Sequence, residues 1–249
     1  MSTRSPTVDV LEVLSRYAAG YFPLYDLEGN FYWERFPVRA IIPVNDHTLA
    51  LAKKMYRRAA FTKAQTPRFQ IRYTTSVEEV IAYLRQENVK PNSWVKEQVV
   101  AIYRALHNVG MLHTVEAFDP TSGKLVGGVL GLTLPGTFIA ETMFSLVPEA
   151  SKVCLCQLIQ NSHAAGLKII DVQTPHDLDC FGDPINLQGK TAHPCIRLGE
   201  QKLSISAFLR DFRSAWKQSF SGGIREWLAH CMTQDRTRSV SAANEPFPH

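Results

Sequence analysis

Three apolar runs in succession, each closed by a turn signal, limit the folds open to this chain more than any other feature. MLHTVEAF (111–118), KLVGGVLGLTL (124–134) and TFIAETMF (137–144) are separated only by DPTSG and PG. Their length and composition predict strands, and connections this short join antiparallel neighbours. A helical pattern follows over about 150–165, stopped by Gly166, and IIDVQ (169–173) predicts one further strand. Three strands, a helix and a strand make one α/β unit on a mixed sheet.

The flanks are more helical. Asp9 is placed to cap a short helix ending at Gly20, and residues 20–43, rich in aromatics, Pro and Gly, read as loops around short strands. A basic helix over 47–60 carries KKMYRR (53–58). FQIRY (69–73) reads as a strand, Ser76 and Glu79 form a capping-box pattern before VIAYLR, and 95–109 has helical spacing up to Gly110. Residues 177–203 read as irregular, helical patterns return near 206–217 and 223–231, and the polar tail 232–249 is expected to be disordered. The expected division is a small N-terminal domain (1–60), a catalytic domain (61–231) and the tail.

With 249 residues, 45% of them hydrophobic, the chain can bury a sizeable core. A net charge of +4 permits contact with a polyanion without requiring it. No apolar run reaches the ~18 residues of a membrane span, and MSTRSPTVDV has no secretory h-region. Five cysteines, an odd number, suit reduced thiols and a cytoplasmic location. Cys154 and Cys156, with His176, Cys180, His193 and Cys195 nearby, match no zinc spacing, so the expectation is buried small hydrophobes and loop residues and no metal.

Chemistry concentrates in two strands. Asp171 and Gln173, at i and i+2, project to one face of theirs, while Ile170 projects to the other unless a bulge intervenes. A carboxylate that only accepts and an amide that accepts and donates can together hold an ammonium. Glu141 interrupts an apolar strand, and a buried carboxylate needs a partner; Arg39 is one structural choice. Lys53, Lys54, Arg57 and Arg58 could grip a phosphate backbone, or form an ordinary solvated face.

GYFPLYD, SWV, ALHNVGMLHTVEAF, LVGGVLGL, AETMFS, ASKV and GLKIIDVQTPH, in this order over about residues 14–180, resemble the bacterial leucyl/phenylalanyl-tRNA–protein transferase family. The resemblance implies a mixed α/β sheet of the acetyl-CoA-dependent N-acetyltransferase-like fold with a small N-terminal α+β domain. It implies transfer of Leu, Phe or Met from aminoacyl-tRNA to acceptor proteins with N-terminal Arg or Lys, marking them for N-end-rule degradation, by a monomer without metal or soluble cofactor. It places Asp171, Gln173 and Glu141 at the reaction centre, the first two as a proton relay or as positioning groups. It puts Val129, Phe138, Met143, Leu158 and Ile170 in the amino-acid pocket, and Trp33 and Trp94 against the terminal adenine. Lys152, near the start of the helix after MFS, is a further candidate for tRNA phosphate.

Several positions depart from the family pattern. YWERFPVR stands for WWSPDPR, Leu146 for Arg, DLDCFGDPI for ASLGA, and Val129 for a Met. The alternatives are an acyl-CoA-dependent N-acyltransferase, against which the absence of a Gly-rich loop before the 150–165 helix weighs, and a non-catalytic member that binds RNA or N-termini.

Overall fold

The three apolar runs form β5 (Leu112–Phe118), β6 (Leu125–Leu134) and β7 (Thr137–Ser145), successive antiparallel strands. They lie at the centre of a seven-stranded sheet in the order β4-β5-β6-β7-β8-β3-β9, with β4 at Gln70–Tyr73, β8 at Ile169–Gln173, β3 at Val38–Pro43 and β9 at Gln201–Ser204. The computed structural model describes residues 8–26, 28–86, 89, 93–177 and 193–235. One neighbouring pair in the sheet, β7 and β8, is parallel, and α5 (Ala150–Ala164) crosses between them. A separate hairpin joins β1 (Phe22–Tyr25) to β2 (Phe31–Glu34).

The mixed sheet matches expectation, and so does the helix between its parallel strands. One feature differs. Residues 194–203, expected to be irregular, carry α6 (Pro194–Arg197) and most of edge strand β9, which forms by pairing with β3 and is too short to show a period of its own. The large sheet draws on both sides of residue 60. β3 is its sixth strand, and α2 (Asp46–Ala59) packs on α5.

Apolar side chains fill both faces of the sheet. On one, Leu14 and Tyr17 of α1 (Val10–Ala18), Val80 and Leu84 of α3 (Val77–Leu84), Tyr103 and Leu106 of α4 (Glu97–Asn108), and Phe208 and Phe212 of α7 (Ile205–Ser219) share a cluster with Leu130, Ile139 and Ile169. Trp227 of α8 (Ile224–Asp235) joins them. On the other face, α2 and α5 pack on Val129, Phe138 and Ile170. α5 is buried around most of its circumference, which explains its apolar character without a clean stripe, and Cys154 and Cys156 are both buried as free thiols within it. Gly127 lets the start of α5 approach β6: a Cβ there would lie 2.5 Å from the Ala150 Cβ.

Helix starts are fixed by different means. Asp9 caps α1 as expected, accepting the Leu11 and Glu12 amides. The Ser76–Glu79 capping box does not form; Ser76 makes no side-chain cap bond. Instead the buried Glu116 carboxylate of β5 accepts the Thr75 and Ser76 amides at 3.1 and 2.8 Å, a charged acceptor displacing a neutral one. Residues 236–249 of the expected tail, and the divergent stretch 178–192 with Cys180, lie outside the described residues.

Candidate active site

β7 and β8 pair through Thr137–Ile139 and Ile169–Asp171, then part. Both strands bulge where they separate. On β7 the register passes from Ala140 to Thr142, leaving Glu141 without a partner on β6. On β8 it passes from Asp171 to Gln173, leaving Val172 without one on β3, and Gln173 takes φ +65°. A left-handed glutamine costs of order 1 kcal/mol, a strain that clusters at functional sites. The two bulges re-aim Glu141 and Gln173 into the gap.

A cleft of about 330 Å³ occupies that gap. Its walls are mainly apolar, with Val129, Ala140, Met143, Leu155 and Val172 from the α5 side and Phe22, Leu24, Phe36 and Trp94 from the N-terminal side. Glu141, Thr142, Gln173, Thr174 and His176 supply its polar groups. This is the crevice beyond the carboxyl ends of adjacent parallel strands, where α/β sheets place ligands.

Glu141 Oε1 accepts a hydrogen bond from Gln173 Nε2 at 2.8 Å, and its Oε2 accepts one from the Tyr103 hydroxyl at 3.0 Å. Tyr17 presents its hydroxyl to the same carboxylate at longer range. Burial is the dominant influence on Glu141 and pushes its pKa from 4.5 up to about 7; the tyrosine hydroxyls and Arg39 oppose that rise, and Asp171 adds to it. Burial and the adjacent carboxylate likewise hold the Tyr17 and Tyr103 phenols well above their usual range, so both remain donors.

Asp171 has a different setting. It is fully buried and does not line the cleft. Arg39, equally buried, grips it with Nε at 2.9 and 3.0 Å from the two carboxylate oxygens and Nη2 at 2.6 Å. The guanidinium also lies over the Phe22 and Phe208 rings. Asp171 Oδ1 in turn accepts the Gln173 amide at 2.9 Å, holding the left-handed turn. Arg39 thus partners Asp171 and not Glu141, and Asp171 supports Gln173 from beneath.

The remaining candidates divide between cleft, core and surface. Val129, Met143 and Trp94 line the cleft. Phe138, Leu158 and Ile170 are fully buried in the cluster under α5, and Leu155, one turn nearer the start of that helix, lines the cleft where Leu158 was expected. Ile170 does face away from Asp171, into the opposite cluster. Trp33 lies apart, edge-on to Tyr17 and under Arg16, beside a second hollow with Asp9 and Glu12. Lys53, Lys54, Arg57 and Arg58 are all exposed on α2, whereas Lys152 is paired with Glu149 at 2.6 Å.

Tyr103, Tyr17 and the Arg39–Asp171 pair were not legible as site groups. The tyrosines have the spacing of core residues, and the ion pair joins residues 132 positions apart. His176, quoted in the TPH motif, proves to have a partner 24 positions on: Nδ1 lies 2.6 Å from Glu200 Oε2, and its amide donates to Oε1 at 3.0 Å. Its ring stacks on His193, whose pKa burial lowers to about 4.

The fold and cleft define a class: an α/β protein whose sheet parts between parallel strands around an apolar cleft that ends in a carboxylate–amide pair. The chain belongs to the leucyl/phenylalanyl-tRNA–protein transferase family. The family description "Leucyl/phenylalanyl-tRNA protein transferase" matches residues 47–182. A curated relative of that name from Herpetosiphon aurantiacus is 35% identical over 170 residues, 67% of this chain and 81% of its own length. Another, from Prosthecochloris aestuarii, is 32% identical over 68% of this chain and 84% of its own. Among solved structures, a functionally unknown conserved protein from Staphylococcus epidermidis aligns over 80% of this chain and 66% of its own at 9% identity and a TM-score of 0.37, too loose a likeness to define a fold family.

Proposed function

We propose that this chain transfers leucine, phenylalanine or methionine from aminoacyl-tRNA to the α-amine of acceptor proteins beginning with Arg or Lys, committing them to N-end-rule degradation. The observation that carries this reading is the apolar cleft ending in the Glu141–Gln173 pair. The cleft volume suits one side chain of the size of leucine, methionine or phenylalanine, and Val129, Met143 and Leu155 select for apolarity and size.

The reaction is aminolysis of an activated ester. The acceptor nitrogen attacks the carbonyl that joins the amino acid to the 3′ ribose, and the C–O bond to the ribose breaks. An α-ammonium releases its proton near pH 8 and Glu141 near 7, so the two are matched within about one unit. Glu141 takes the proton and returns it to the departing ribose oxygen, while the Gln173 amide fixes the carboxylate and the incoming amine. Asp171 acts here as a positioning residue, held by Arg39. Trp94 offers a face to the terminal adenine, and the exposed bases of α2 offer phosphate contacts. The parted parallel strands, each bulged, support an N-acetyltransferase-like fold with the β1–β2 hairpin segment as its N-terminal addition. None of the described helices is long and apolar enough to cross a membrane, and we read the protein as a cytoplasmic monomer.

The test is label transfer. Radiolabelled Leu- or Phe-tRNA is incubated with a peptide beginning with Arg or Lys, and separately the peptide is incubated with labelled acetyl-CoA. Label moving from tRNA to the peptide N-terminus is expected. Label moving from acetyl-CoA alone, or from neither donor across a panel of charged tRNAs, overturns the reading.

A further inference from the structure

Beside the cleft, three metal-binding side chains converge whose sequence spacing gave no sign of it. One ligand atom each from His176, His193 and Cys195 lies within 4.8 Å of the other two. His176 follows β8, while His193 and Cys195 open α6, so the fold brings together the two sides of the stretch that departs from the family pattern.

We propose that His176, His193 and Cys195 bind a zinc ion that ties the end of β8 to the start of α6. Two imidazoles and a thiol form a mixed nitrogen–sulfur donor set, which suits zinc over calcium or magnesium. The second observation is the support behind His176. Glu200, its side chain 2% exposed, takes both the ring Nδ1 and the backbone amide of His176. With its Nδ1 against that carboxylate, His176 has Nε2 to offer as ligand, as in metal sites where a carboxylate backs a ligating histidine. Cys195 is fully buried and is a free thiol.

The two imidazole rings stack at 3.9 Å with an interplanar angle of 7°. Parallel rings aim their lone pairs side by side, so binding turns the His193 ring out of the stack. Its Nδ1 then exchanges a long 3.3 Å contact with the Cys195 amide for the metal. Three protein ligands leave a fourth position, which water fills in a tetrahedral site. The ion ties the end of β8 to the start of α6, and it does not enter the transfer step.

The full-length chain is purified without chelator and its metal content measured, then stripped and titrated with zinc and with cobalt(II). About one zinc ion per chain is expected, with cobalt giving the intense visible bands of a tetrahedral site and a thiolate charge-transfer band. His193→Gln should lower zinc affinity at least tenfold, and Cys195→Ser should abolish the charge-transfer band. Because Cys195 is buried, His193→Gln and His176→Asn guard against a variant that simply fails to fold, with circular dichroism as the check. Wild type that takes up no zinc on titration overturns the proposal. So does zinc held undiminished by His193→Gln and His176→Asn, because the ion then lies elsewhere.

Discussion

Glu141 carries two pH-dependent consequences of one burial. As the proposed base it must be ionised, so turnover should rise with pH through about 7, its folded value. Glu141→Gln keeps the shape and removes the titration. It should cost 10²–10⁴-fold in turnover, of the order of a lost general base, and flatten that limb of a rate profile. An unchanged limb in the variant would reassign the base. The stability effect has the opposite sign. Folding raises this pKa from 4.5, so the folded chain holds a proton that the unfolded chain has released between 4.5 and 7. The associated stability is fully present below 4.5, is lost as pH rises to about 7, and is then flat; its size is roughly 3 kcal/mol. Urea midpoints for wild type should fall across that window, and those of Glu141→Gln should fall less.

Asp171 is the residue whose meaning changes most. A strand ending in Asp-Val-Gln suggests two polar groups offered to a substrate. The structure gives the carboxylate to a fully buried guanidinium and to the Gln173 amide. Removing one member of a buried pair strands the other, at a cost of about 3–5 kcal/mol. Asp171→Ala and Arg39→Met should each lower stability by that order, read from urea unfolding. The double variant should recover part of the loss because no unpaired charge remains. Additive losses would mean that the pair is not coupled.

At the scale of elements, the approach of α5 to β6 depends on the missing side chain of Gly127. Gly127→Val should force the helix start away from the strand and destabilise by about 1–3 kcal/mol, measured as a lower urea midpoint, and should weaken the cleft wall that Leu155 supplies. The elements themselves were mostly readable, because β5, β6, β7 and α5 are long and each carries its own period or turn chemistry. Three kinds of feature were not. β9 exists through its partner β3, so four residues of local sequence say nothing of it. The start of α3 is held by Glu116, about forty residues away, which hides behind a plausible local capping box. The bulges at Glu141 and Val172 are register facts, visible only once neighbours are paired. Glu141 and Gln173 were legible because polar residues inside apolar strands are conspicuous. Leu155 was not, because every apolar position of a helix buried all round reads alike.

On the scale of the whole molecule, the proposed donor is far larger than the cleft, and most of it must lie against the surface. The modest net charge of +4 cannot attract a polyanion by itself, so local charge has to do so. α2 provides it: Lys53, Lys54, Arg57 and Arg58 are exposed on one helix whose opposite side, through Ala52 and Met55, is packed on the sheet layer. Lys152 contributes less, its charge being neutralised by Glu149. Phosphate contacts release counterions, and each weakens binding by a fixed slope in log salt, about 0.7–0.9 per contact. If α2 bears on tRNA, replacing its four bases by Gln should flatten the salt dependence of tRNA binding by up to about 3 and weaken affinity most at low salt. The charges face solvent, so stability should change by less than about 0.5 kcal/mol. Turnover at saturating tRNA should persist, since the cleft is untouched. A salt slope identical to that of wild type would move the tRNA path to another face.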